Sequence, residues 1–468
     1  MSIRCRERTG LLTSETDICL QPARLGSHSV GMVCTQLQFC SPVRCVFSLF
    51  AAACILIDPA SLAACSSHAT GADSPKAPKI PKADVSPISA PDDLSAALAK
   101  IAAKNKVPAL AAMVVDGRGT ILRQGVTGVR ANTAVEANRT LATIDDLWHL
   151  GSCTKAMTGT LCGVLVGQGK LRWTSTLGEV LGTKLPAVAG LPEAPMDPQW
   201  QAVTLEQLLV HRAGAPDGLD ENGLWGRLWN HTGTPTESRQ LLATGLLSRA
   251  PKYAPGSKFE YSNAGTALAG FMAETVMATP FEVLIQRELF APIGITSAGF
   301  GAPGQAIRRA ADKADRKPDQ PRGHTADGKP VRPGPSGDNP PGITPAGRVH
   351  MSIGDWAKFA ALHVRGEAEG WKNPDGSWRL KPEDFVKLHA PKRDGDKADG
   401  ANAYAMGWAI LDRKDSARSL LQHAGSNTLW LCQVIVDRDG DKAYLVCCNA
   451  GGPGAEKAIR QATTLLRR

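Results

Sequence analysis

Ser152 lies in Gly151-Ser152-Cys153-Thr154-Lys155 and is the only serine of the chain with a lysine three residues on. On a helix that spacing puts both side chains on one face, one turn apart. A helix N-terminus would surround Ser152 with a positive field of backbone N–H groups, which favours an oxyanion forming beside it. A lysine taken out of water loses its proton near neutral pH and can then assist the serine. The chemistry such a pair offers is nucleophilic attack on a carbonyl. The pattern alone is weak, because a chain of this length shows about one or two S-x-x-K by chance. Its ordinary alternative is a serine capping a helix beside a solvated lysine.

Two further groups of residues bear on that choice. Tyr261-Ser262-Asn263 follows Pro255-Gly256 and precedes an apolar stretch, Ala264–Val276. The chain has only four tyrosines, so a Tyr-x-Asn at a loop-to-helix junction is a rarer event. Its ordinary reading is a tyrosine packed at a helix start, with Asn263 as the cap. His423-Ala424-Gly425-Ser426 lies between two apolar runs, where the ordinary reading is a β-turn. Cys153 reads as packed and inert. His211 and Arg212 read as residues that shape the fold.

These residues need elements to position them. Asp92–Lys104 has helical spacing with an acidic first turn. Ala109–Val115 and Thr120–Val126 flank Asp116-Gly117-Arg118-Gly119 as a β-hairpin. A helix-rich stretch runs from Ser152 to about Ile295. Residues 301–345, rich in Pro, Gly and charge, read as an inserted surface loop. The G-x-G-x-x-G at Gly299–Gly304 lacks a preceding strand and carries Pro303, so it is a chance match. Strands are expected over Tyr404–Asp412, Ser419–His423, Leu429–Val436 and Lys442–Asn449, and a helix over Ala455–Arg467. Cys447 and Cys448 should point to opposite faces of their strand. Strands at both ends with helices between predict an α/β fold: an antiparallel sheet flanked by helices, with a helical subdomain inserted.

The three motifs, in this order and at these separations, resemble the serine β-lactamase and penicillin-binding-protein superfamily. The likeness is to its class C-like branch, which includes D-peptidases and carboxylesterases. Leu205–Gly214 and Pro345–Phe359 resemble the family's flanking stretches, and the likeness covers about residues 92–466. The resemblance implies that Ser152 attacks a carbonyl and forms an acyl-enzyme. It implies that Lys155 lowers the proton affinity of Ser152 and holds Tyr261. Tyr261, its pKa pulled down by nearby cations, would shuttle the proton, and Asn263 would orient Lys155 and the substrate. Backbone N–H groups of Ser152 and Ser426, next to Gly425, would form the oxyanion hole, worth ~3 kcal/mol per donor. His423 stands where β-lactamases usually carry a lysine. A histidine is largely neutral at pH 7, so the fixed charge that binds a β-lactam carboxylate is missing. The implied activity is hydrolysis of a small ester, a D-amino-acid peptide or a β-lactam. The rival is a penicillin-binding or cell-wall sensor protein with little turnover. No cofactor or metal is implied.

The chain has 468 residues, a formal net charge of +9 and 43% hydrophobic residues, which excludes a disordered or polytopic membrane protein. Its basic residues are interspersed with acidic ones and form no stripe with aromatics, so nucleic acid is not an expected partner. Neither G-x-S-x-G, H-E-x-x-H nor a P-loop occurs. Seven of the 12 cysteines precede residue 66. There, Arg44 leads into the apolar run Val46–Ile57, which has the length of a signal-peptide core. Leu62-Ala63-Ala64-Cys65 resembles a lipobox, with Cys65 the candidate for lipidation. Met32 would be a more usual start for such a signal. The expected organisation is an N-terminal extension and signal over 1–65, a Pro/Lys/Ala-rich tether over 66–90, and a hydrolase domain over 91–468. The protein would then be periplasmic or secreted, and lipid-anchored if Cys65 is modified.

Overall fold

The computed structural model describes residues 90–133, 139–220, 223–304, 317–392, 403–413, 416 and 418–468. The expected signal, lipobox and tether lie outside the described residues. In chain order the strands that matter are β1 (Asp92–Asp93), β2 (Ala109–Asp116), β3 (Ile121–Gly128), β4 (Leu147–His149) and β5 (Gly299–Phe300), then β6 (Val349–Ser352), β7 (Ala409–Leu411), β8 (Leu420–Ser426), β9 (Leu431–Asp437) and β10 (Lys442–Cys448). Seven of them form one sheet in the order β1-β3-β2-β10-β9-β8-β7, and β4, β6 and β5 form a smaller one. Every pair in the large sheet is antiparallel except the edge contact of β1 with β3.

The sequence of β2, Ala-Leu-Ala-Ala-Met-Val-Val-Asp, is apolar at consecutive positions because both faces of the sheet are covered. Ala109, Ala111, Met113 and Val115 join the main core, while Leu110, Ala112 and Val114 join a smaller one. The helices that bear on the site and the sheet are α1 (Ser95–Asn105), α2 (Thr154–Gly167), α3 (Leu205–Leu209), α4 (Pro235–Leu247), α5 (Asn263–Met277), α6 (Ile353–Glu369) and α7 (Gly452–Leu466). α1 and α7 cover the small-core face through Leu98, Ala102, Ile459 and Ala462. α6, through Trp356 and Phe359, packs on the other face together with the helical stretch 154–295. Cys447 faces the main core and Cys448 the smaller one, as alternation requires.

Within the helical part, α2 is buried at every residue from Thr154 to Leu165, so it is a central helix with no solvent face. α4 and α5 are joined by a buried ion network. Arg239, fully buried, donates from Nε to Glu274 at 2.5 Å and from both terminal nitrogens to Glu282 at 2.8 Å.

Four local expectations change. The acidic residues expected in the first turn of α1 lie before it: Asp93 accepts from Ser95 N at 2.9 Å, and Asp92–Asp93 form an edge strand. The expected strand Tyr404–Asp412 is only Ala409–Leu411, because Gly407 takes φ +89 and turns the chain after Tyr404. His423–Ser426 is no turn; it completes β8 in register with β9 up to Ser426↔Leu431. Residues 317–345 are no mere surface loop: His324, Asp338, Ile343 and Thr344 are buried, and His324 binds the Asn449 carbonyl at 2.7 Å.

Candidate active site

Ser152 sits in a single 3-10 turn, Gly151–Cys153, that runs into α2. The turn is tied down on both sides. Leu150 N donates to Val349 O at 2.9 Å, and the Thr154 hydroxyl donates to Gly151 O at 2.7 Å. Gly151 has φ +50, a conformation that glycine adopts without penalty. The turn also approaches β8 very closely. A Cβ on Gly151 would stand 2.3 Å from Ser426 N; one on Gly425 would stand 1.9 Å from Leu150 O and 2.8 Å from Ser152 N. Both glycines are therefore required for the contact that brings Ser152 N and Ser426 N to one place.

One turn along α2, Lys155 is fully buried. Its Nζ lies 3.0 Å from Ser152 Oγ, 2.7 Å from Asn263 Oδ1 and 2.8 Å from Ala346 O. Burial lowers its pKa to about 7, an effect opposed only by Cys153. Asn263 opens α5, where Ser262, not Asn263, is the cap and accepts from Gly265 N. Tyr261 precedes that cap, and Lys155 Nζ lies 4.8 Å from its ring centre. Contrary to expectation, the phenol is not pulled toward ionisation. Burial pushes its pKa above the ordinary tyrosine value, moderated by a hydrogen bond with Ser152.

His423 lies on β8 facing inward, 5% exposed. Its Nδ1 is 2.7 Å from Ala424 O and its Nε2 is 2.9 Å from the Tyr404 hydroxyl. A carbonyl only accepts, so Nδ1 carries the proton and Nε2 accepts from Tyr404. Burial, with Lys155 nearby, lowers the pKa to about 3, so His423 stays neutral.

The structure brings Ser152, Lys155, Tyr261, Asn263, His423, Gly425 and Ser426 together. Cys153 is packed as expected: its thiol lies 3.6 Å from His423 O, and burial raises its pKa well above the ordinary value. Cys65 lies outside the described residues. Three participants had no clear mark in the sequence. The Ala346 carbonyl is backbone and leaves none. Tyr404 looked like a strand residue, although Gly407 just after it is a break that could have given it away. His211, read as a shaping residue, does its shaping on the site itself. It holds φ +59, accepts from Ser262 N at 3.2 Å, and packs its ring 4.5 Å from Tyr261 and 4.6 Å from Tyr404.

The family model named Beta-lactamase matches residues 94–467. The unguisins hydrolase ungD of Aspergillus violaceofuscus (strain CBS 115571) is 27% identical over 270 residues, covering 56% of this chain and 43% of its own length. A β-lactamase of Lysobacter lactamgenus is 25% identical over 244 residues, covering 52% of this chain and 53% of its own. The chain thus spans about half the length of these curated relatives. Among solved structures, the octameric penicillin-binding protein homologue from Pyrococcus abyssi superposes with a TM-score of 0.57 at 22% identity, over 80% of this chain and 76% of that one. The D-alanine carboxypeptidase AmpC from Burkholderia cenocepacia gives 0.55 at 20%, over 79% and 96%. These structures share the fold: a β-lactamase/transpeptidase-like sheet flanked by helices. With a family match that runs from Leu94 to Arg467, the chain belongs to the Beta-lactamase family of serine hydrolases.

Proposed function

We propose that the protein hydrolyses a small ester, amide or D-amino-acid peptide through an acyl-enzyme on Ser152. The observation that carries this reading is Lys155 Nζ, fully buried and 3.0 Å from Ser152 Oγ. Two of its three partners, Asn263 Oδ1 and Ala346 O, can only accept. When Lys155 loses a proton near pH 7, its two remaining N–H bonds stay with them. The freed lone pair then faces the Ser152 hydroxyl, the one partner that can donate. Lys155 is the base that takes the Ser152 proton, Ser152 the nucleophile, and the still-protonated Tyr261 the donor to the leaving group, regaining its proton from Lys155. Ser152 N and Ser426 N receive the developing oxyanion.

The neutral His423 supports a choice among substrates. No fixed cation stands at that position to meet a carboxylate, so we favour substrates without an anionic group beside the scissile bond over β-lactams. We further propose that the protein acts outside the cytoplasm, on the strength of Val46–Ile57 and Cys65. Fractionation of expressed wild type and Cys65→Ala tests this: lipidation predicts that only the wild type stays with the membrane.

The activity is tested by incubating the purified protein with a fluorophosphonate, a fluorescent penicillin, p-nitrophenyl esters and D-Ala peptides, beside Ser152→Ala. Labelling and turnover should be present in the wild type and absent from the variant. No Ser152-dependent reaction would end the hydrolase reading. Penicillin labelling that persists without turnover would favour a binding protein.

A further inference from the structure

His149 ends β4, two residues before Gly151, and is fully buried. Gly151 N donates to its Nδ1 at 3.2 Å. That bond occupies the Nδ1 lone pair, which leaves Nε2 as the donor of the ring. Nε2 stands 2.8 Å from Asp338 Oδ1. Asp338 is 5% exposed and comes from the segment that the sequence suggests is a surface loop. The same Oδ1 accepts from Asn427 Nδ2 at 3.2 Å and from Asn339 N at 2.7 Å. Its Oδ2 accepts from Arg348 Nε at 3.1 Å. Burial alone would raise the carboxyl's pKa, but His149 and Arg348 outweigh it and hold Asp338 below the ordinary value, hence ionised.

One buried carboxylate therefore reaches both sides of the gap at the reacting centre. Through His149 it holds Gly151, whose following residue is Ser152. Through Asn427 it holds the residue that follows Ser426. We infer that Asp338, with His149, is a positioning device that fixes the spacing of the two oxyanion donors, Ser152 N and Ser426 N. The inference rests on the serine-hydrolase reading and extends it to residues outside the three motifs. An oxyanion hole is useful only while its donors stay within a few tenths of an ångström of the oxyanion, and backbone donors can be placed only by what holds their backbone. Neither Asp338 nor His149 touches substrate. They act through the turn and the strand.

A purely architectural ion network would make a different prediction: loss of folded protein without loss of rate per folded molecule. The test compares full-length wild type, Asp338→Asn and Asn427→Ala. Asn427→Ala leaves the contact of Asp338 with His149 intact and cuts the link to the strand, along with the bonds of Asn427 to Gly337 O and from Leu429 N, both at 3.2 Å. Active sites are counted by fluorophosphonate labelling. A p-nitrophenyl ester then gives kcat and KM, and a boronic acid, which forms a tetrahedral adduct on the serine, reports oxyanion binding. Asp338→Asn should lose ~10–10²-fold in kcat per labelled site and a similar factor in boronate affinity, with KM changed less than ~3-fold. Asn427→Ala should lose ~10-fold in the same two quantities per labelled site, which sets aside any loss of folded protein. Unchanged kcat and boronate affinity per labelled site would overturn the inference and leave the hydrolase reading standing. If Asp338→Asn does not fold, Asn427→Ala decides the matter alone by the same criterion. A wild type without Ser152-dependent turnover would remove both.

Discussion

At the scale of single residues, everything turns on where the protons are. Lys155 with a pKa of about 7 must be neutral to accept the Ser152 proton, so kcat/KM should rise with pH through about 7 and then level. His423, with a pKa of about 3, should add no limb between pH 4 and 9. A pH profile on a p-nitrophenyl ester checks both. Lys155→Ala removes the base and should cost ~10²–10⁴-fold in kcat while the chain still folds. Gly425→Ala drives a methyl group into the Leu150 carbonyl at 1.9 Å. It should abolish Ser152 labelling, since the strand and the turn can no longer meet. Among the residues, Ser152, Lys155, Tyr261, Asn263 and His423 were legible because their types carry chemistry and their spacing is rare in combination. The protonation of Tyr261 was not legible. It depends on how deeply both Tyr261 and Lys155 are buried, and burial at that distance in sequence is a property of the packing.

At the scale of elements, the site is assembled by segments that must each arrive at the right depth: α2, the start of α5, β8 and the turn after Tyr404. The chain marks α2 and α5 by apolar residues at helical spacing, and the hairpin of β2 with β3 by the turn Asp116-Gly117-Arg118-Gly119 between them. It marks β7 and the end of β8 poorly. Gly407 reads as one glycine inside an apolar run, yet a Cβ there would stand 2.5 Å from Ala156 N on α2. That close approach, invisible in a local pattern, cuts the strand short and leaves Tyr404 beside His423. The helical part depends on a single guanidinium. Arg239→Met would leave the buried Glu274 and the half-buried Glu282 without their cation, so it should cost ~3–5 kcal/mol of stability. Chemical denaturation of the variant measures this, and a loss below ~1 kcal/mol would show that the two carboxylates find other partners.

At the scale of the whole molecule, the buried histidines set the response to acid. His211, His324, His350, His363, His389 and His423 all have pKa values held below 6.5, first by burial. In the unfolded chain each takes up a proton as the pH falls through 6.5, whereas in the folded chain each stays neutral to lower pH. Unfolding therefore takes up protons, and the stability that is fully present above pH 6.5 drains away below it. Each group adds a slope of at most ~1.4 kcal/mol per pH unit. The melting temperature should fall steeply between pH 6.5 and 5, and a flat profile there would contradict the burial of these rings. The fold class was legible because strands at both ends of the chain have to meet, and β2 pairing with β10 is that meeting, from Lys442↔Asp116 to Cys448↔Leu110. It also sets a timetable. β2 emerges from the ribosome early, but its inner edge has nothing to bond until residues 442–448 have been made. Closing so long a loop is slow, and the half-built sheet shows an open apolar edge throughout synthesis. Cutting the chain after Asp437 should leave no stable core, and refolding from denaturant should be slow and sensitive to protein concentration.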